Sequence, residues 1–102
     1  MVYHLSSDAE SDLMDIAHYT YQQWGEEVFE QYRQGLKDTF EKIGRGNTIL
    51  RSLSKNMPSV FYTKYRFHFI FFVKNEDGEP VIIAVIHEKR DIATLLNQRM
   101  GE

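Results

Sequence analysis

Cysteine is absent from the 102-residue chain, which excludes a disulfide framework, a thiolate nucleophile and any cysteine-ligated zinc site. No apolar run approaches the roughly 20 residues a membrane-spanning helix needs, and no basic N-terminal stretch leads into an apolar core with a cleavage site. The expectation is a cytoplasmic protein, neither exported by a signal peptide nor membrane-spanning. Internal repeats and low-complexity segments are missing as well. At 12.1 kDa the chain is one domain, residues 1–102, burying about two thirds of its unfolded surface. Charge is scarce by sign in turn. Residues 1–41 hold two bases against nine acids, residues 42–75 hold seven bases and no acid, and residues 76–102 hold six acids and three bases. A modest net charge of −3 therefore hides a basic middle between acidic ends.

Val2-Tyr3-His4-Leu5 reads as an edge strand. Ser7 and Glu10 have capping-box spacing, so a helix starts at Ser7, with Ala9, Leu13, Ile16, Ala17 and Trp24 on its buried face and Gly25 as its end. A second helix runs from Glu26 to about Ile43, with Val28, Tyr32, Leu36, Phe40 and Ile43 on one side, Phe29 widening the stripe and Gly44 as the stop. The pair reads as an antiparallel helical hairpin joined at Gly25. Gly35 inside the second helix costs roughly 1 kcal/mol against alanine, which predicts a close approach of the other helix or a strand at that position.

From Gly44 to Pro58 periodicity is lost, and a loop anchored by Ile49, Leu50 and Leu53 is expected. Five of the seven phenylalanines then fall between Phe61 and Phe72. Strands are predicted at Val60–Thr63, Arg66–Lys74 and Val81–His87, turning at Lys64-Tyr65 and at Asp77-Gly78. Strict alternation places Phe67, Phe69, Phe71 and Val73 against the helices and turns Arg66, His68, Ile70, Phe72 and Lys74 away from them. The last strand is apolar on both faces, hence central or doubly covered. Ile70, Phe72 and one row of the last strand are left to a cover, either a partner or the tail, whose helix opens at Asp91 with Ile92, Leu95 and Leu96 on one side. The class is α+β: an edge strand, a helical hairpin on a small twisted antiparallel sheet, and a short C-terminal helix.

His4, His18, His68 and His87 are scattered without metal-ligand spacing, so neither a metal nor another cofactor is expected. Gly44-Arg45-Gly46 lacks the Lys-Ser/Thr of a phosphate loop, and no serine sits on a nucleophile elbow. Asp8, Asp12 and Asp15 are accounted for by the helix dipole and solubility. His87-Glu88-Lys89-Arg90-Asp91 gathers five polar groups after an apolar strand. It is either a solvated turn with Asp91 capping the last helix, a macromolecular contact, or, with Tyr62, Tyr65, Arg66 and His68, a set for acid/base cleavage of RNA. The basic stretch Lys42, Arg45, Arg51, Lys55, Lys64, Arg66 and Lys74 interleaves with aromatics, but an isoelectric point near 5.8 favours an acidic polypeptide over nucleic acid as its partner.

Ala9, Asp12, Leu13, Ile16 and Tyr19, then Trp24-Gly25, Tyr32 and Leu36, the aromatic strand Phe67–Val73 and Val85-Ile86-His87-Glu88-Lys89-Arg90-Asp91 together resemble the ParE toxins of the RelE/ParE superfamily. The resemblance covers most of the chain. It implies the fold given above and a toxin of a type II toxin–antitoxin system that inhibits DNA gyrase and blocks replication without catalysis. It also implies a ParD-type antitoxin that neutralises the toxin directly and carries the binding to operator DNA, so that no direct specific nucleic-acid contact is expected of the toxin. His87, Lys89, Arg90 and Asp91 are then candidate target contacts, and Arg51, Lys64, Arg66, His68, Ile70 and Phe72 candidate antitoxin contacts. Trp24, Tyr32 and Leu36 read as structural. The alternative on the same fold is a RelE-like ribosome-dependent mRNA endoribonuclease, which a basic protein would suit better than an acidic one. Gly44-Arg45-Gly46-Asn47-Thr48 departs from the family's usual connection.

Overall fold

The computed structural model describes residues 2–100. Strand β1, His4–Leu5, leads directly into helix α1, Ser7–Gly44. The helix is capped by Ser6 rather than Ser7: the Ser6 Oγ accepts the Ala9 N–H at 3.1 Å, one residue earlier than the spacing with Glu10 suggests. Gly25 interrupts α1 with φ 88° and ψ 179°, a left-handed conformation suited to glycine, and divides it into two helical arms. Tyr21 and Phe29 meet across the break with ring centroids 5.9 Å apart.

After the helix the chain forms β2 (Arg51–Ser54), β3 (Met57–Tyr65), β4 (His68–Lys74), β5 (Pro80–His87) and helix α2 (Ile92–Arg99). Among the described residues there is one five-stranded sheet in the order β1-β5-β4-β3-β2. It is mixed rather than wholly antiparallel, because β1 pairs parallel with β5 through His4↔Val81 and Leu5↔Ile82. β5 is interior to the sheet, flanked by β1 and β4, as its two apolar faces require. β2 lies where a loop was expected, with Ile49 and Leu50 exposed just before it instead of anchoring the connection. The β3–β4 turn is Arg66-Phe67, not Lys64-Tyr65, since Tyr65 still pairs with His68.

Two apolar clusters sandwich this sheet. On the α1 side, Ala9, Leu36, Phe40 and Ile43 pack with Ile70, Phe72, Ile82 and Val85. On the other side, Leu96 packs with Val60, Phe71, Ala84 and Ile86, with Phe69, Val73, Ile83, Ile92 and Leu95 half-buried around them. The facing of β4 is therefore the reverse of the one expected. Ile70 and Phe72, 0% and 1% exposed, lie under the helical arms and present no surface to a partner. Phe69, Phe71 and Val73 face α2 instead. An irregularity between β4 and β5 explains why alternation also fails in β5: Phe71 pairs Ala84 while the adjacent Phe72 pairs Ile82, so Ile83 is extra. Ile82 and Val85 end up on one face, with Ile83, Ala84 and Ile86 on the other.

The close approach expected at Gly35 is made by a strand. A Cβ at that position would overlap the Tyr65 hydroxyl and ring at the end of β3. Leu36, one residue on, is buried in the core. Glycine here lets the second arm lie against the sheet's edge.

Candidate functional site

Arg66 takes φ 51° in the β3–β4 turn, an uncommon conformation for a residue with a side chain. Its guanidinium stays over the Tyr65 ring, 5.6 Å from the centroid, and its Nε donates to the Tyr65 hydroxyl at 3.1 Å. The next residue, Phe67, is 56% exposed and stacks nearly parallel on His87, 6.4 Å between centroids and 13° between planes. The Glu88 N–H donates to the Phe67 carbonyl at 2.8 Å, tying the end of β5 to this turn. His68 meets His87 edge-on at 5.1 Å.

A cleft of about 650 Å³ opens between this corner of the sheet and the α1 arms on either side of Gly25. Its helical wall includes Asp15, Tyr19, Trp24, Val28 and Tyr32, and its sheet wall runs through Arg66, Phe67, His68, His87, Glu88, Lys89 and Arg90. Trp24 is 65% exposed, so it lines the cleft and does not join the buried helix face on which spacing places it. The run of apolar positions at helical spacing ends at Thr20, the last buried residue of the first arm.

Tyr32 anchors the cleft floor. Its hydroxyl accepts the Phe67 N–H at 3.4 Å and lies 2.6 Å from His68 Nδ1 and 3.3 Å from the Tyr65 carbonyl oxygen. Burial and the neighbouring His87 push His68 down to about 4, against a smaller upward pull from Asp12 and Glu88. Burial likewise raises Tyr32 above the usual phenol range. His68 is therefore neutral at physiological pH. Lys64 reaches Glu88 at 2.6 Å and lies 5.0 Å from the centroid of the Phe69 ring; that contact holds the Glu88 carboxyl below the ordinary range. Among the described residues, Arg66, Lys89 and Arg90 have no carboxylate within 4.0 Å.

The cleft brings together some of the residues singled out from sequence and separates others. His87, Lys89 and Arg90 share it with Arg66 and His68. Asp91 instead caps α2, accepting the Thr94 N–H at 3.2 Å and its hydroxyl at 2.8 Å, bonds that lower its pKa. Arg51 sits exposed on β2, away from the cleft. Tyr62 and Tyr65 pack on opposite faces of the sheet, so the tyrosines considered for RNA cleavage are not gathered in one place.

Asp12 carries a role that helix-dipole reasoning misses. Its carboxylate accepts the Val85 N–H at 2.8 Å and an N–H from each of the two terminal guanidinium nitrogens of Arg99 at 2.7 Å. Arg99 also donates to the Ile83 carbonyl at 3.2 Å. β1 is only two residues long, and beyond it these side chains satisfy the edge of β5. No sequence spacing signals a pair 87 residues apart. Among the described residues no helix is long and apolar enough to cross a membrane. No group of three or more His, Cys, Asp or Glu there could hold a metal ion.

Two helical arms on a five-stranded sheet with a short terminal helix place the chain in a known class of small α+β domain. A chain of the "Chromosomal ParDE TA system from P. aeruginosa" has the same fold, with a TM-score of 0.71 at 17% identity, covering 85% of this chain and 95% of that one. Curated relatives include "Toxin ParE" of Escherichia coli, 26% identical over 98 residues, 96% of this chain and 95% of the relative. "Toxin ParE1" of Mycobacterium tuberculosis is 26% identical over 90 residues, 88% and 92% of the two chains. Residues 3–92 match the family described as "ParE toxin of type II toxin-antitoxin system, parDE". The chain belongs to the ParE toxin family.

Proposed function

We propose that this ParE-family protein inhibits DNA gyrase by binding it, without catalysis, and so blocks replication in the cytoplasm until a ParD-type antitoxin binds it directly. The observation that carries the reading is the family match over residues 3–92, which spans the whole cleft. Exposed aromatic faces beside cations that lack carboxylate partners among the described residues suit an anionic macromolecular contact. His87, Lys89 and Arg90 are the target contacts in this reading. Asp91 contributes by holding α2 in place.

For the antitoxin, exposed Arg66 with half-buried His68 in the cleft, and exposed Arg51 on β2, offer contacts to an acidic segment, whereas Lys64 is already paired with Glu88. Ile70 and Phe72 take no part, being interior. Their place as apolar contacts passes to the cleft of about 210 Å³ between the helical arms, where Leu13, Ile16, Ala17 and Phe29 are half-buried.

A supercoiling assay with purified gyrase tests the proposal. Inhibition by the free protein, relieved by stoichiometric antitoxin, is expected, and Arg90→Ala should weaken inhibition while leaving antitoxin affinity nearly unchanged. Full gyrase activity in molar excess of this protein, together with mRNA cleavage on ribosomes, would refute it in favour of the endoribonuclease.

A further inference from the structure

An isoelectric point near 5.8 argues against nucleic acid only if the acids face the ligand, and of the described acids only Asp15 and Glu88 line the large cleft. Of the nine acids in residues 1–41, Asp15 alone lines it. The other lining acid, Glu88, is already neutralised by Lys64. Against these stand Arg66, Lys89 and Arg90 with no carboxylate partner among the described residues. The walls between the cations are aromatic and open, with Tyr19 60%, Trp24 65% and Phe67 56% exposed. An acidic peptide would use the cations but has little use for open ring faces. A base with its phosphate uses both.

We propose that this cleft binds single-stranded nucleic acid without sequence preference, stacking bases on Trp24 and Phe67 and placing phosphates on Arg66, Lys89 and Arg90. Duplex DNA does not fit this chemistry, because its bases are stacked on one another and their faces are unavailable. The inference goes beyond the gyrase reading and does not depend on it.

Trp24 is the chain's one tryptophan, so its emission reports the cleft directly. The full-length protein is titrated with a ten-nucleotide deoxyadenylate strand, a ten-base-pair duplex, adenosine monophosphate and decaglutamate, at several salt concentrations. Saturable quenching by the single strand is expected, with much weaker binding by the other three. The logarithm of affinity should fall with the logarithm of salt at a slope near −2, from about −0.7 per neutralised phosphate on three cations. Phe67→Ala should weaken the strand about tenfold by loss of one stacking face, and Arg90→Ala should flatten the salt slope by about 0.7.

Absence of quenching together with absence of strand binding by fluorescence anisotropy would overturn the proposal. So would equal binding by the duplex or by decaglutamate, and a salt slope unmoved in each of Arg66→Ala, Lys89→Ala and Arg90→Ala. Equal affinity for the mononucleotide would overturn the assignment to a strand. Supercoiling assays fail or succeed separately from this emission signal, so the two readings are tested apart.

Discussion

Replacing Asp12 should destabilise the protein far more than a helix-dipole residue would. The carboxylate joins three elements: it sits on α1, accepts a backbone N–H of β5 and holds Arg99 of α2. Its side chain is 14% exposed and that of Arg99 20%, so water reaches the pair only partly. A hydrogen bond from a backbone N–H to a charged acceptor contributes about 1.5–3 kcal/mol, and removing one partner of a buried ion pair costs about 3–5 kcal/mol. These overlap because the same carboxylate serves both, and partial exposure favours the low end. Asp12→Ala should therefore cost about 3 kcal/mol, and Asp12→Asn, which keeps an acceptor for Val85, about 2 kcal/mol. For a domain of this size, 3 kcal/mol lowers Tm by about 12–20 °C. Thermal and urea unfolding of Asp12→Ala, Arg99→Leu and the double variant form a cycle with an expected coupling of about 2 kcal/mol. A loss below about 1 kcal/mol in Asp12→Ala, or additive losses in the cycle, would return Asp12 to a dipole-compensating surface role.

Other perturbations separate the structural roles assigned above. Phe72→Glu should leave the chain unfolded by circular dichroism, because it buries a charge under α1, whereas Phe69→Glu on the half-exposed α2 side should fold; the opposite outcome would restore the alternation first expected. Gly35→Ala should cost about 1–3 kcal/mol in urea unfolding, since Tyr65 must move, and an unchanged midpoint would show that the strand yields freely. Ser6→Ala should cost about 1 kcal/mol and Ser7→Ala almost nothing; equal losses would contradict the observed cap. Because His68 falls from 6.5 to about 4 on folding, the unfolded chain takes up its proton first, and stability should drop as pH falls from 6.5 towards 4. The shift corresponds to at most about 3 kcal/mol, and solvent screening of a half-buried ring reduces this to about 1–2 kcal/mol. His68→Gln should remove that part of the slope, and a pH profile identical to the parent's would refute the assignment.

Helices were legible because their information is local. Gly25, the spacing of Leu36, Phe40 and Ile43, and the cap at Asp91 can each be read within one turn of chain. The last strand's two apolar faces likewise told of its interior position. What alternation could not reveal was which face of β4 meets the helices. A pattern of period two is symmetric under exchange of faces when both carry large apolar residues, and β4 has Phe69 and Phe71 on one side against Ile70 and Phe72 on the other. The choice is made elsewhere, by the two-residue β1 that launches α1 over one side of β5 and by the bulge that turns Ile82 and Val85 to that same side.

The same limit explains the candidate site. His87, Lys89 and Arg90 announce themselves as a polar run after an apolar strand, but their aromatic counterparts come from parts of the chain where the pattern reads as core. Trp24 falls at helical spacing with Ile16 and Ala17, yet it sits beside Gly25, where the helix breaks and the buried face ends. Phe67 follows strand alternation, yet it occupies the turn, because Tyr65 and His68 already form the last pair of the ladder. Both rings are exposed at a boundary: Trp24 lies on the last turn before the helix break, beyond the buried face that ends at Thr20, and Phe67 lies just past the last pair of the β3–β4 ladder. Large apolar residues at such boundaries, opposite a cationic run, locate the cleft from sequence once the helix break and the strand register are placed to within one residue.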